Sequence, residues 1–147
     1  MSYKHLLVPV DGSQISFSAV KQAAILAKTL ESELTLISLV AEDPFTDADF
    51  YYSSTIMKEY FVQAYENADK ALLEAKKIAE EVGITAKTSI IKGQINAKGV
   101  VEAAEKCHAD LIVMGSHGRK GFQKMILGSF AQDILTNTNL PVLIIKN

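Results

Sequence analysis

The sequence predicts a single α/β domain built on a doubly wound parallel sheet with helices on both faces. Three observations carry this. Short apolar runs that end in turn residues alternate with longer stretches whose apolar positions recur at three and four. The first run, Lys4–Val10, is apolar nearly throughout, as a strand covered on both faces must be. Strands separated by helices return to the same sheet through right-handed crossovers, which leaves them parallel. A chain of 147 residues is long enough to bury one sizeable core, so residues 1–147 are expected to form one domain.

The elements follow in order. Asp11-Gly12 breaks the first strand, and Ser13 is placed to cap a helix carrying Ile15, Ala19, Val20, Ala23, Ala24, Ala27 and Leu30 on one face. Leu34–Val40 reads as the second strand. Ala41–Ser54 is acidic, aromatic and turn-rich, with Pro44 as a breaker. A stripe of Met57, Tyr60, Phe61, Ala64, Ala68, Ala71, Leu72, Ala75, Ile78 and Val82 marks a helix of about seven turns, at about 3.6 residues per turn. Gly83 suits its C-terminal end. Ile84–Ile91 is expected as the third strand and the stretch from Ala97 to Cys107 as the third helix. Leu111–Met114 forms the fourth strand, Phe130–Leu135 has helical spacing, and Pro141–Ile145 closes the chain as a fifth strand.

Composition excludes several classes of function. A net charge of −2 offers no broad basic surface for nucleic acid. One cysteine, Cys107, rules out an internal disulfide and a cysteine-rich metal site. The N-terminus lacks a signal-peptide pattern, and no apolar run approaches the roughly 18 residues of a membrane span, so a cytoplasmic location is expected.

The stretch Gly115–Ser129 is the candidate site. Gly115 and Gly118 allow a sharp turn and leave no Cβ between backbone N–H groups and an anion. Gly128-Ser129 stands where a helix starts, offering a hydroxyl and unpaired amides to phosphate. Arg119, the one arginine of the chain, lies inside this stretch and is suited to forked phosphate contacts. Strand, glycine loop and helix in this order predict nucleotide-phosphate binding. In a parallel sheet such loops meet beyond the carboxyl ends of the strands, so Asp11-Gly12-Ser13 joins the same site if the first and fourth strands are neighbours.

The segments Leu7-Val-Pro-Val-Asp-Gly-Ser13, Asp110–Arg119, Leu127-Gly-Ser129 and Leu140-Pro-Val-Leu-Ile144 resemble the ATP-binding branch of the universal stress protein family. The resemblance runs from end to end. It implies a five-stranded sheet of order 3-2-1-4-5, bound ATP and a homodimer. It also implies that Pro9, Val10 and Asp11 lie beside adenine and ribose and that Leu39 packs on adenine. Met114, Gly115, His117, Gly118, Arg119, Gly128, Ser129 and Phe130 would surround ribose and phosphates. Asp11 has two roles open to it, accepting a ribose hydroxyl or helping to position a phosphate-held Mg²⁺, through water. Many relatives open the third helix with Gly-x-Pro, where this chain has Gly93-Gln-Ile-Asn96. Asn96 remains a competent cap.

Other residues read more plainly. His117 is a solvated or turn-supporting residue rather than a general base. His5 and His108 are structural or exposed, and Cys107 is expected to be a buried, inert thiol. Phe45, Phe50, Tyr51 and Tyr52 belong either to a lid over the crevice or to a loop packed on itself. The apolar strand 141–145 is expected at a sheet edge, pairing with a second copy. A slow ATP hydrolase is the rival reading. It is disfavoured because the chain has no Gly-x4-Gly-Lys-Ser/Thr motif and no evident water-activating carboxylate. An FMN-binding module shares the architecture but finds no support in these motifs.

Overall fold

The parallel sheet is assembled from five strands that lie in a different order in space than in sequence. The computed structural model describes residues 3–42, 55–117 and 127–146. The strands are β1 (His5–Pro9), β2 (Glu33–Ala41), β3 (Lys87–Gly93), β4 (Leu111–Gly115) and β5 (Val142–Ile145). The helices are α1 (Gln14–Leu30), α2 (Thr55–Val82), α3 (Ala97–Lys106) and α4 (Ser129–Asn137). All pairings are parallel and the order is β3-β2-β1-β4-β5, as the resemblance implies.

Alternation along the strands sorts the core into two layers. Leu6 and Val8 of β1, Leu34 and Leu36 of β2, and Leu111 and Val113 of β4 pack against α1 and α2. Leu7, Ile37, Ile112 and Met114 face the opposite side and pack against α3 and α4. Burial of each large apolar side chain in these layers contributes about 1.5–3 kcal/mol. Helix α1 meets the sheet through Ala19, Ala23, Ala24 and Ala27, small residues that let its axis approach closely. Its first turn is capped by the Ser13 hydroxyl, which accepts from Ser16 N at 3.2 Å.

Two boundaries differ from the sequence expectation. The third strand begins at Lys87 rather than Ile84, because the end of α2 is first wound off through Gly83 at φ 101°. Ile84 N donates to Ala79 O there at 3.0 Å, and the Ile84 side chain joins the α1–α2 core. The α2 stripe enters that core only from Ala68 onward, whereas Tyr60 is 61% exposed. Length explains this. Twenty-eight residues of helix span about 42 Å, against about 30 Å for the nine residues of β2. The first turns of α2 therefore overhang the carboxyl edge of the sheet. Tyr65 on this overhang receives Lys92 of β3 over its ring, 5.1 Å from the centroid.

The opposite, amino-terminal edge is held by polar contacts. Asp110 accepts from Lys4 N at 2.9 Å and His5 N at 3.0 Å, tying the start of β1 to the start of β4. His5 is buried and structural, its Nε2 hydrogen-bonded to Thr35 Oγ1 at 2.7 Å. His108 is exposed and takes a left-handed conformation at φ 59°. Cys107 is half-buried rather than fully buried, and desolvation pushes its thiol above the ordinary value. That keeps the thiol protonated and inert near neutral pH.

Asp110→Ala removes a charged acceptor from two backbone donors and should lower unfolding free energy by about 1–3 kcal/mol in urea titration. A change below about 0.5 kcal/mol would show that the carboxylate does not anchor β1.

Candidate functional site

Strand order decides where a ligand fits. β1 leads through α1 to β2 on one side, while its other neighbour is β4, so connections diverge between β1 and β4. The carboxyl ends of both strands open at this point. Pro9 ends β1 half-buried, on the same face of the strand as Leu7. Met114 is buried on the equivalent face of β4, and Leu39 of β2 packs in the same layer. Pro9, Leu39 and Met114 thus form an apolar floor beneath α3 and α4. Val10 differs: its side chain is buried in the α1–α2 core, and its N–H donates to Ile37 O at 2.7 Å.

Beyond Val10 the chain turns at Gly12, φ 83°. Asp11 is exposed, and its Oδ1 accepts from Ser13 N at 2.9 Å and from the Ser13 hydroxyl. This turn sets the Ser13 cap of α1. It leaves Oδ2 as the oxygen of Asp11 available to a ligand hydroxyl.

The glycine stretch is organised by a contact the sequence reading did not single out. Ser116, buried just past β4, donates its N–H to Ile145 O at 2.9 Å. Its carbonyl accepts from Gly128 N at 2.6 Å, so the two ends of segment 118–126 are clasped together. A Cβ on Gly128 would be crowded: it would stand 3.1 Å from both His117 Cα and Ser116 O. Gly115 is constrained from the other face, where an added Cβ would lie 2.9 Å from Ile15 Cγ1. Its smallness serves packing on α1 as well as any ligand. The signal for Ser116 was its position between two such glycines.

The clasp delivers the start of α4 to the cleft. Gly128 is the N-cap and, lacking a side chain, places no capping group over the first amides of α4. Ser129 is exposed on the first turn and Phe130 is half-buried against the Met114 layer. The macrodipole adds partial positive charge at this end. His117 is half-buried, with Nδ1 3.2 Å from the Ser116 hydroxyl, and supports the clasp. Gly118 and Arg119 lie outside the described residues, as do Phe45, Phe50, Tyr51 and Tyr52. The described residues thus place Pro9, Val10, Asp11, Leu39, Met114 and Gly115 at or near the carboxyl ends of β1, β2 and β4, and set Gly128 beside His117, with Ser129 and Phe130 on the first turn of α4. Leu39, Met114 and Phe130 share one apolar layer there.

The same plan recurs in known proteins. The universal stress protein family model matches residues 2–146. The chain belongs to the universal stress protein family. Universal stress protein MJ0531 of Methanocaldococcus jannaschii is 38% identical over 98% of this chain and 82% of its own length. The solved structure of MJ0577 from the same organism is 27% identical, with a TM-score of 0.81 over 100% of this chain and 98% of its own. A universal stress protein from Archaeoglobus fulgidus, solved in complex with dAMP, shares the fold at 22% identity. Its TM-score is 0.70, over 99% of this chain and 100% of its own. No helix among the described residues is long and apolar enough to cross a membrane.

The Ile15 contact makes Gly115 testable. Gly115→Ala should cost about 1–3 kcal/mol of stability through overpacking. Combined with Ile15→Ala, it should cost less than the sum of the two single changes. Strict additivity in that double-mutant cycle would remove Ile15 as the reason for glycine.

Proposed function

We propose that the cleft between β1 and β4 binds an adenine nucleotide, ATP foremost, and that occupancy biases conformation or partner choice in a cytoplasmic stress-response or signalling role. The observation that carries this reading is the meeting of an apolar floor with an uncapped helix start. A base and ribose over Pro9, Leu39 and Met114 direct their phosphates toward Gly128 and Ser129. Arg119, carried in the same motif, adds a forked cation for the outer phosphates. Mg²⁺ accompanies the nucleotide, held mainly by phosphate oxygens, with Asp11 in reach through water. The Archaeoglobus fulgidus protein that shares this fold was solved in complex with dAMP, an adenine nucleotide.

The nucleotide is read here as a signal rather than a substrate. Asp11 commits one oxygen to its own turn, so it is poorly placed to activate a water molecule. We further propose a homodimer in which β5 pairs antiparallel with its copy. The two sheet edges are unlike. β3 carries Lys87 and Lys92 among exposed polar residues, a pattern that discourages pairing, while β5 is the short apolar run Val142–Ile145.

Isothermal calorimetry tests the site. Gly118→Val should abolish ATP binding while the fold persists, and retained affinity would remove the phosphate-loop assignment. Arg119→Ala should weaken ATP about tenfold, near 1.4 kcal/mol, and change adenosine affinity about twofold at most. Equal losses for both ligands would place Arg119 away from phosphate. Light scattering should give a dimer at micromolar concentration, and a monomer would rule out β5 pairing.

A further inference from the structure

The turn between β3 and α3 carries side chains that the phosphate cradle does not use. Gly93 ends β3 at φ 148°, and its carbonyl accepts from Glu42 N at 3.1 Å, which holds the turn beside the end of β2. Gln94-Ile95-Asn96 follow, and Asn96 caps α3. Its Oδ1 accepts from Gly99 N at 3.1 Å, so its amide orientation is fixed, with Nδ2 on the other side. Nδ2 then donates to Gln94 Oε1 at 3.0 Å. A chain of hydrogen bonds therefore runs from the α3 backbone to Gln94 and dictates which way the Gln94 amide faces.

This chain starts beside Leu39, and its Gln94 end is exposed. A Cβ added at Gly99 would stand 3.2 Å from Leu39 Cδ2, 3.4 Å from Gln94 O and 3.8 Å from Asn96 Oδ1. Leu39, the main chain of Gln94 and the amide of Asn96 thus converge on one point of α3. Ile95 beside them is 60% exposed.

We propose that Gln94, pinned by Asn96, reads the edge of the base and selects adenine over guanine; this rests on the nucleotide reading given above. A carboxamide presents one acceptor beside one donor. Adenine offers the matching pair, its exocyclic amino group beside an acceptor ring nitrogen, and Gln is a recurrent bidentate partner of adenine for that reason. Guanine offers two acceptors on one edge and the reversed order on the other. An unpinned glutamine could turn over to satisfy the reversed order. The Asn96 donor prevents it, because turning would set two N–H groups face to face. Asn96 acts as a positioning residue and Gln94 as the group that touches the base.

Calorimetry with the magnesium salts of ATP and GTP tests this on the wild type, Gln94→Ala and Asn96→Asp. Aspartate still caps α3, but it offers Gln94 an acceptor and so reverses its amide. The wild type should favour ATP by ten- to a hundredfold, on the order of one bidentate contact. Gln94→Ala should bring the ratio to within about threefold of one, and Asn96→Asp should carry it below one, toward GTP, with melting temperatures of both unchanged within about 2 °C. Equal wild-type affinities for ATP and GTP would overturn the proposal while leaving the nucleotide site intact. So would a wild-type ratio that survives in Gln94→Ala. A wild type that binds neither nucleotide would overturn both the site and this inference.

Discussion

The clasp between Gly128 N–H and the Ser116 carbonyl is the contact on which the functional end of the molecule depends. At 2.6 Å it joins the residue after β4 to the residue before α4, and Ser116 is itself tied to Ile145 of β5. The start of α4 is thereby fixed over the end of a central strand, whatever path segment 118–126 takes. A Cβ at Gly128 would crowd His117 and Ser116, and one at Gly115 would press into Ile15. Gly115 and Gly128 thus serve protein packing before any ligand is considered. That is how a backbone cradle can be preorganised rather than assembled at the moment of binding.

The rest of the architecture serves that junction. Order β3-β2-β1-β4-β5 puts the divergence of connections beside β4, so the clasp of Ser116 and Gly128 lies at the end of a strand that borders the cleft. Strand alternation then supplies the floor. Pro9, Leu39 and Met114 share the face that packs against α3 and α4, while Val10 turns into the other layer. The amino-terminal edge carries the tie between Asp110 and β1 and the buried His5–Thr35 pair.

Much of this was legible in the sequence because period and punctuation agree. Lys4–Val10, Leu34–Val40 and Leu111–Met114 announced buried strands, and Ser13 and Asn96 announced helix starts that the structure bears out. The order of strands came from resemblance, since periodicity does not encode lateral position. Three things escaped. The entry into β3 was misplaced because Ile84 is apolar for the sake of the helix core, not the strand. The α2 stripe does not announce where its burial begins, and helix length carries Tyr60 and Tyr65 past the sheet. Ser116 was passed over because its role rests on its main chain, and a backbone contact leaves its trace only in the small residues around it. Gly118 and Arg119, the other part of the motif, lie outside the described residues, so their contribution rests on the sequence.

Besides the cleft, the surface offers an open hollow between α1 and α2, lined by Gln14, Phe17, Ser18, Lys21, Ile78, Glu81 and Val82. Its lining lacks the glycine-framed backbone donors that phosphate requires. Amide chemical shifts recorded by NMR while ATP is titrated into the protein decide between the two places directly. The largest shifts should fall at Gly128, Ser129 and Phe130, with smaller ones at Asp11, Leu39 and Gly115. Shifts centred on residues 14–21 and 78–82, with the start of α4 unmoved, would contradict the account.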